Sequence, residues 1–523
     1  MKFAKMRIIL VVAALMLASL SIQAQTDDPF VVSDAVVETE SGQLRGFVQD
    51  GIYTYLGVKY AQAERFMMPE KVEPWEGVRS AVTYGEICPI PAMNSVANDE
   101  LFNPHRYFPQ SENCQHLNIW TPGIQDDAQR PVMVWLHGGG WTNGSSIEGV
   151  SYDGRNLSEK GDVVVVSLNH RLNVLGYLDM SAYGDYSANV GVADMVAALE
   201  WIQENIAEFG GDPSNVTIFG QSGGGGKVAT LMSVPAAEGL FDKAIIQSGY
   251  VSFGNQEASQ QVAELTLQNL GIDPENVEEI QDVPYEDLLA AASAAQSEIG
   301  GGWGPILDGD YIPEPAFPDF ASDITLMVGS VLNEMTTVIR IDPDELLADN
   351  RNDWDMEYAT SKMEERFGEN GVAIAEAFLE AYPNKQFADA YYLDTSIVGR
   401  STALNIANMK SEQEAPVYTY QFTYYSPVMD GVGMAWHCAE IPYVFDNADL
   451  ALTATGGGDA AHAMAHMMSQ AWINFARYGD PNHDALPEWP AYTPENGATM
   501  IFDTTPWVGF HNDAELLALL AEE

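Results

Sequence analysis

Short runs of apolar or nearly apolar residues recur along the chain. They lie at 132–136 (VMVWL), 163–168 (VVVVSL), 216–219 (VTIF), 244–246 (AII), 324–328 (ITLMV) and 417–422 (VYTYQF). Such runs are expected of strands covered on both faces, where no side alternates with solvent. Between them lie helical patterns. In ADMVAALEWIQENIAEFGG (193–211), Met195, Leu199, Ile202 and Ile206 fall on one face, and Gly210 marks a C-terminal stop. Strands alternating with helices predict a mostly parallel sheet with helices on both sides. The segment 36–61 instead alternates apolar and polar positions between glycines, which predicts antiparallel strands near the start. Two long acidic helical stretches, about 255–300 and 343–412, interrupt the rhythm and read as insertions above the sheet. No Pro- or Ser-rich linker divides the chain, so residues 25–523 are expected to form a single domain.

Residues 1–24 are set apart by composition. Lys2, Lys5 and Arg7 precede a short apolar run, and Ala24 offers a small residue for cleavage. This predicts a signal peptide and export, to a periplasm or beyond the cell. The whole chain has 23 basic and 75 acidic residues, a formal charge of −52. Such a surface repels nucleic acid and anionic membranes, and its self-repulsion is screened at high salt. No second run is long enough to cross a bilayer, so stable membrane insertion is not expected. Export permits a disulfide among the three cysteines. A Cys88–Cys114 bridge would stabilise by roughly 3 kcal/mol through loop closure. Cys438 is expected to be a buried free thiol. No metal-ligand spacing stands out: His462 and His466 sit four apart but lack an acidic partner between them. Neither metal nor cofactor is expected.

The densest chemistry lies in VTIFGQSGGGGKVATLM (216–232), a strand, a glycine-rich turn and a helix. A phosphate loop would need four residues before Gly-Lys and a Ser or Thr after it. Here the spacing is one too long and Val228 follows, so Lys227 is expected on the helix surface. The alternative fits directly: Gly220-Gln221-Ser222-Gly223-Gly224 is G-x-S-x-G, a turn that lifts a serine hydroxyl above a sheet. A serine needs a base, an orienting acid and an oxyanion hole. His137-Gly138-Gly139-Gly140-Trp141 follows a buried strand and matches the HGGG loops of esterases.

With these motifs the chain resembles the type-B carboxylesterase and cholinesterase family of α/β-hydrolases, over nearly its whole length. SENCQHLNIWTP (111–122), FGGDPSNVTIFGQSGGG (209–225), NHRLNVLGYL (169–178) and GPILDGDYIP (304–313) are similar to family blocks. The resemblance implies the α/β-hydrolase fold and a Ser–Glu–His triad of Ser222, Glu334 and His437. It places the oxyanion hole on the N–H groups of Gly139, Gly140 and Gly223. It pairs Cys88 with Cys114, Arg65 with Glu112 and Arg171 with Asp194, and sets Ser248 beside the triad. Trp141 is expected to line the acyl pocket. His437 must be neutral to act as a base, so activity is expected to fall below about pH 6.

Departures from the family pattern bear on substrate. Gln221 and Gly223 replace the usual Glu and Ala of the elbow. Phe102 stands where cholinesterases carry a Trp, giving a weaker cation–π site. The reading is therefore an exported serine carboxylesterase acting through an acyl-enzyme on small to medium uncharged esters. A lipase, or a specialised aryl, plant-polymer or toxin esterase, is the alternative. A non-catalytic binding protein of the same fold is the remote one.

Overall fold

A computed structural model describes residues 30–31, 35–92, 95–313 and 316–522. The expected signal segment lies outside the described residues. A twelve-stranded sheet runs through the molecule. Its strands are β1 (Phe30–Val31), β2 (Phe47–Gln49), β3 (Ile52–Lys59), β4 (His116–Thr121), β5 (Arg130–Leu136), β6 (Val164–Leu168), β7 (Gly211–Gln221), β8 (Lys243–Gln247), β9 (Thr325–Val331), β10 (Val417–Phe422), β11 (Ala498–Phe502) and β12 (Trp507–Phe510). The spatial order is β1-β2-β3-β4-β6-β5-β7-β8-β9-β10-β11-β12. Pairs from β6 to β11 are parallel. The edges are antiparallel.

The apolar runs owe their lack of alternation to two cores. Met133, Trp135, Phe219, Ile245 and Met327 point to one face, packed by the helix Asp459–Tyr478 through Met464, Met468 and Trp472. Val132, Val134, Leu136, Ile218, Ile246 and Val328 point to the other. There they meet α1 (Val190–Asn205) and α2 (Gly223–Leu231). Burying each large side chain contributes about 1.5–3 kcal/mol. β9 runs past the expected stop at 328 because Gly329 and Ser330 keep pairing with Tyr420 and Gln421. A Cβ at Gly329 would lie 2.4 Å from the Tyr420 ring, so this glycine accommodates an aromatic neighbour within the strand.

The first acidic stretch forms the helices Gln256–Leu270 and Tyr285–Ile299, which share a small separate core with Val174, Leu175 and Leu178. The second holds Met356–Phe367, Gly371–Ala381 and Arg400–Ser411. The last of these does not stand above the sheet. Ala403, Ile406 and Ala407 pack into the same core as Leu326, Val328 and Val417, so sheet cover begins inside that interval. No described helix is long and apolar enough to cross a membrane.

Candidate active site

β7 ends at Gln221 and α2 begins at Gly223, leaving Ser222 at the corner with φ 58° and ψ −123°. For a non-glycine residue this is strained backbone, held here by surrounding structure. The Ser222 N–H donates to the Gln247 carbonyl (2.9 Å), and its carbonyl accepts from Gly226 N–H (3.0 Å). The bend is tight enough to exclude side chains: a Cβ at Gly224 would lie 2.0 Å from the Leu136 carbonyl oxygen. Helix α2 aims its free N–H groups at this corner, which favours negative charge there.

The HGGG loop leaves the neighbouring strand β5 and meets α2 backbone to backbone. A Cβ on Gly223 would lie 2.4 Å from the Gly140 amide nitrogen. Gly139 and Gly140 both have positive φ, 78° and 62°. The Gly139 carbonyl accepts from Asn143 N–H at 3.0 Å. Carbonyl and following N–H point oppositely across a trans peptide, so this bond turns the Gly140 N–H away from the Asn143 side. The loop is braced from behind: Asn169 Oδ1 accepts from Ser146 N–H (2.8 Å), and Asn173 N–H donates to the Trp141 carbonyl (2.8 Å).

Glu334 and His437 come from the loops after adjacent strands, β9 and β10. Their backbones are joined, since His437 N–H donates to the Glu334 carbonyl at 2.9 Å. His437 Nδ1 meets Glu334 Oε2 at 2.5 Å, while Glu334 Oε1 accepts from Val331 N–H at 2.9 Å. Glu334 is fully buried and His437 nearly so. Burial alone would lower the His437 pKa. The Glu334 hydrogen bond and charge outweigh it, with help from Glu440, and hold it above 6.5. Burial raises the Glu334 carboxyl above its ordinary range, against the opposing pull of His437 and, more weakly, of Ser248. The Gln221 amide nitrogen lies 3.3 Å from both His437 ring nitrogens, placing the imidazole over the elbow.

The remaining expected residues divide. Cys88 and Cys114 are disulfide-bonded. Arg171 forms a buried pair with Asp194 (2.6 Å), and Arg65 Nε donates to Glu112 at 2.6 Å. Trp141 packs edge-on against Tyr177 and lines a cavity of about 410 Å³ with Tyr250, Phe253 and Trp303. Phe102 does not line this cavity. Its ring is 2% exposed and packs 6.1 Å from Trp436, which precedes His437. The Asp99 carbonyl accepts from the N–H groups of Phe102 and Asn103, a turn that folds the ring inward. Cys438 is free and half-buried rather than buried, with its thiol 3.2 Å from Gln221 Oε1. His462 is solvated, with Asp449 as a 3.3 Å neighbour.

Lys227 is the clearest correction. It is not on the helix surface but fully buried, beneath the HGGG loop. The period of α2 could not reveal this, because four glycines give the helix no polar face to compare. Asn169, Asn173, Tyr250 and Trp303 were also not singled out. The two asparagines carry a signal in hindsight: they follow a buried strand at a spacing of four.

A hydroxyl at a helix N-terminus, an imidazole tied to a buried carboxylate and converging backbone N–H groups can together perform acyl transfer. The sequence profile of the Carboxylesterase family matches residues 33–516. Para-nitrobenzyl esterase of Bacillus subtilis is 34% identical over 92% of this chain and 96% of that protein. Phenmedipham hydrolase of Pseudarthrobacter oxydans is 33% identical, covering 90% and 95% respectively. Among solved structures, an esterase from anaerobic Clostridium hathewayi that can hydrolyze aliphatic aromatic polyesters superposes with a TM-score of 0.88. It is 40% identical and covers 94% of this chain and 99% of that one. A PNB esterase structure superposes at 0.76 with 32% identity, over 93% and 99%. The chain therefore has the α/β-hydrolase fold and belongs to the carboxylesterase family, as a carboxylic ester hydrolase.

Proposed function

We propose that Ser222 is the nucleophile, His437 the general base and Glu334 the orienting acid. Ser222 Oγ attacks the ester carbonyl carbon as its proton passes to His437 Nε2. The carbonyl π electrons move to oxygen, which the N–H groups of Gly139, Gly140 and Gly223 receive. Collapse expels the alcohol, which takes the proton from His437, and leaves an acyl-enzyme. Water, deprotonated by the same imidazole, then releases the acid. Glu334 holds the imidazole tautomer and stabilises its charged form. Each oxyanion donor is worth about 3 kcal/mol in the transition state.

The observation that carries this reading is the Ser222 corner, a serine in strained backbone at the start of α2, next in the chain to Gln221, whose amide lies 3.3 Å from the His437 ring nitrogens. An absolute test is Ser222→Ala on a panel of nitrophenyl esters from acetate to long chains. Turnover is expected to be abolished, and wild-type turnover by the variant would overturn the mechanism.

For substrate, the reading is uncharged esters, with aryl-bearing ones favoured over plain aliphatic ones. The cavity walled by Trp141, the residue after Gly140, supports this, since Trp141, Tyr177, Tyr250, Phe253 and Trp303 present aromatic surface. The similar para-nitrobenzyl esterase and the similar esterase that can hydrolyze aliphatic aromatic polyesters point the same way. Benzoate or benzyl esters are expected to exceed matched aliphatic esters in kcat/KM. Export completes the proposal, supported by the basic and apolar leader and by the Cys88–Cys114 bridge, which suits an oxidising compartment. Fractionation of cells expressing the full chain tests it.

A further inference from the structure

Lys227 lies one turn into α2, with its whole side chain sealed from solvent. Burying an ammonium is costly unless its hydrogen bonds are met. Lys227 Nζ donates to the His137 carbonyl at 2.8 Å and reaches the Gly138 carbonyl at 3.4 Å. Both are backbone atoms of the HGGG loop. The Gly138 carbonyl also lies 2.9 Å from His137 Nδ1. Burial pulls the Lys227 amine down to about 7, only partly offset by the charge of Glu148; the stacked imidazoles of His137 and His170 also stand around this cluster, with the Trp141 ring 6.0 Å away. Both imidazoles are held far below their ordinary range by burial and by the lysine's charge, so neither is a competing cation.

Peptide geometry gives these contacts a consequence. The carbonyl of Gly138 and the N–H of Gly139 belong to one planar trans unit and point in opposite directions. The same holds for His137 C=O and Gly138 N–H. Drawing both carbonyls down onto Lys227 turns both N–H groups up, away from α2's interior. A loop of three glycines has little steric preference of its own, so its peptides would otherwise rotate freely between the two orientations.

We propose that Lys227 is a positioning residue for the oxyanion hole: its hydrogen bonds to the His137 and Gly138 carbonyls lock the loop with the Gly139 N–H directed at the substrate. It touches no substrate atom. This rests on the reading of Ser222 as nucleophile and Gly139 as an oxyanion donor. The residue also explains the run of small residues before it, since the HGGG loop can press onto α2 only where α2 has no side chains.

The test compares Lys227→Met, which keeps length and loses the donor, with Lys227→Gln, which keeps a donor on a shorter stem. Ground-state binding does not use the oxyanion, so the loss is expected in kcat with KM within about twofold. For Lys227→Met the loss is expected to be roughly tenfold to hundredfold, below the cost of deleting a donor outright. Affinity for an aryl trifluoromethyl ketone, which adds Ser222 Oγ to its carbonyl to form an oxyanion, is expected to fall in parallel. Affinity for the matching secondary alcohol is expected to hold. Lys227→Gln is expected to recover at least threefold of the loss. An unchanged ketone-to-alcohol affinity ratio, or a loss carried by KM, would overturn the inference. So would both variants lacking a cooperative thermal melt, which would assign Lys227 to folding alone. Ser222→Ala separates the two levels. If it is inert while Lys227→Met matches wild type, only this inference fails; if it is active, the underlying mechanism fails.

Discussion

Gln221, the residue before the candidate nucleophile, holds its side-chain amide 3.3 Å from both ring nitrogens of His437. The family pattern that the elbow resembles has a glutamate there, so a neutral dipole stands beside His437 in place of a charge. The sign of the consequence is fixed. Glu334 already holds His437 above 6.5 despite burial. The base must be neutral, so kcat/KM is lost as pH falls through that raised value, higher than the limit of about pH 6 expected from the sequence. Gln221→Glu adds a second anion and favours the imidazolium further. Its acid limb is expected to move up by about one pH unit, measured as kcat/KM between pH 5 and 9. A limb that stays put or moves down would refute the electrostatic role of this position.

Gly223 is expected to be intolerant of the alanine common in the family. The added Cβ would meet the Gly140 amide at 2.4 Å, so one loop must retreat. Moving one oxyanion donor out of place costs up to about 10²-fold in kcat. Steady-state kinetics of Gly223→Ala on one aryl ester are decisive. Undiminished kcat would mean that the loops separate without cost.

Arg171→Ala should damage stability rather than chemistry. Its guanidinium bonds Asp194 on α1 and the carbonyls of Glu64 and Met67. Removing one partner of so buried a pair strands the other, at about 3–5 kcal/mol. Urea unfolding should show a lower midpoint, and kcat per folded site should hold.

Trp303→Ala tests the aromatic wall. It should lower kcat/KM for benzoate esters by roughly tenfold relative to acetate esters, consistent with about 1–2 kcal/mol of lost apolar and ring contact. Equal losses on both substrates would disconnect the cavity from acyl selection.

The acidic excess predicts salt tolerance. Screening by molar NaCl shortens the Debye length to about 3 Å and relieves the mutual repulsion of the carboxylates in a chain with 75 acidic and only 23 basic residues. Melting temperature is expected to rise, and esterase activity to persist, between 0.1 and 2 M NaCl.

The sheet was legible because strands buried on both faces leave unbroken apolar runs, and each of the six runs falls on an observed strand, with the largest difference at Gly211–Gln221, which begins five residues before the run at 216–219. The glycine motifs were legible for a related reason: close backbone approach leaves no room for a side chain at Gly224. What stayed hidden is what no period reports. Lys227 sits in a helix whose first turn has no side chains, so nothing marks its direction. Phe102 could be placed in a loop by resemblance, but whether its ring faced the cavity or Trp436 depended on a turn built at Asp99. The helix Arg400–Ser411 reads like the acidic helices before it, and its packing on β9 and β10 is decided by three small or branched residues on one face.

The contact of Gly140 with Gly223 carries one more implication. The HGGG loop and the start of α2 meet there with no side chain between them, so their gap is set by two peptide backbones alone. A mutation at that seam can widen it but cannot narrow it. Change at that seam is one-directional, whereas the wall around Trp141, Tyr250 and Trp303 is built of side chains whose volume can be traded in either direction.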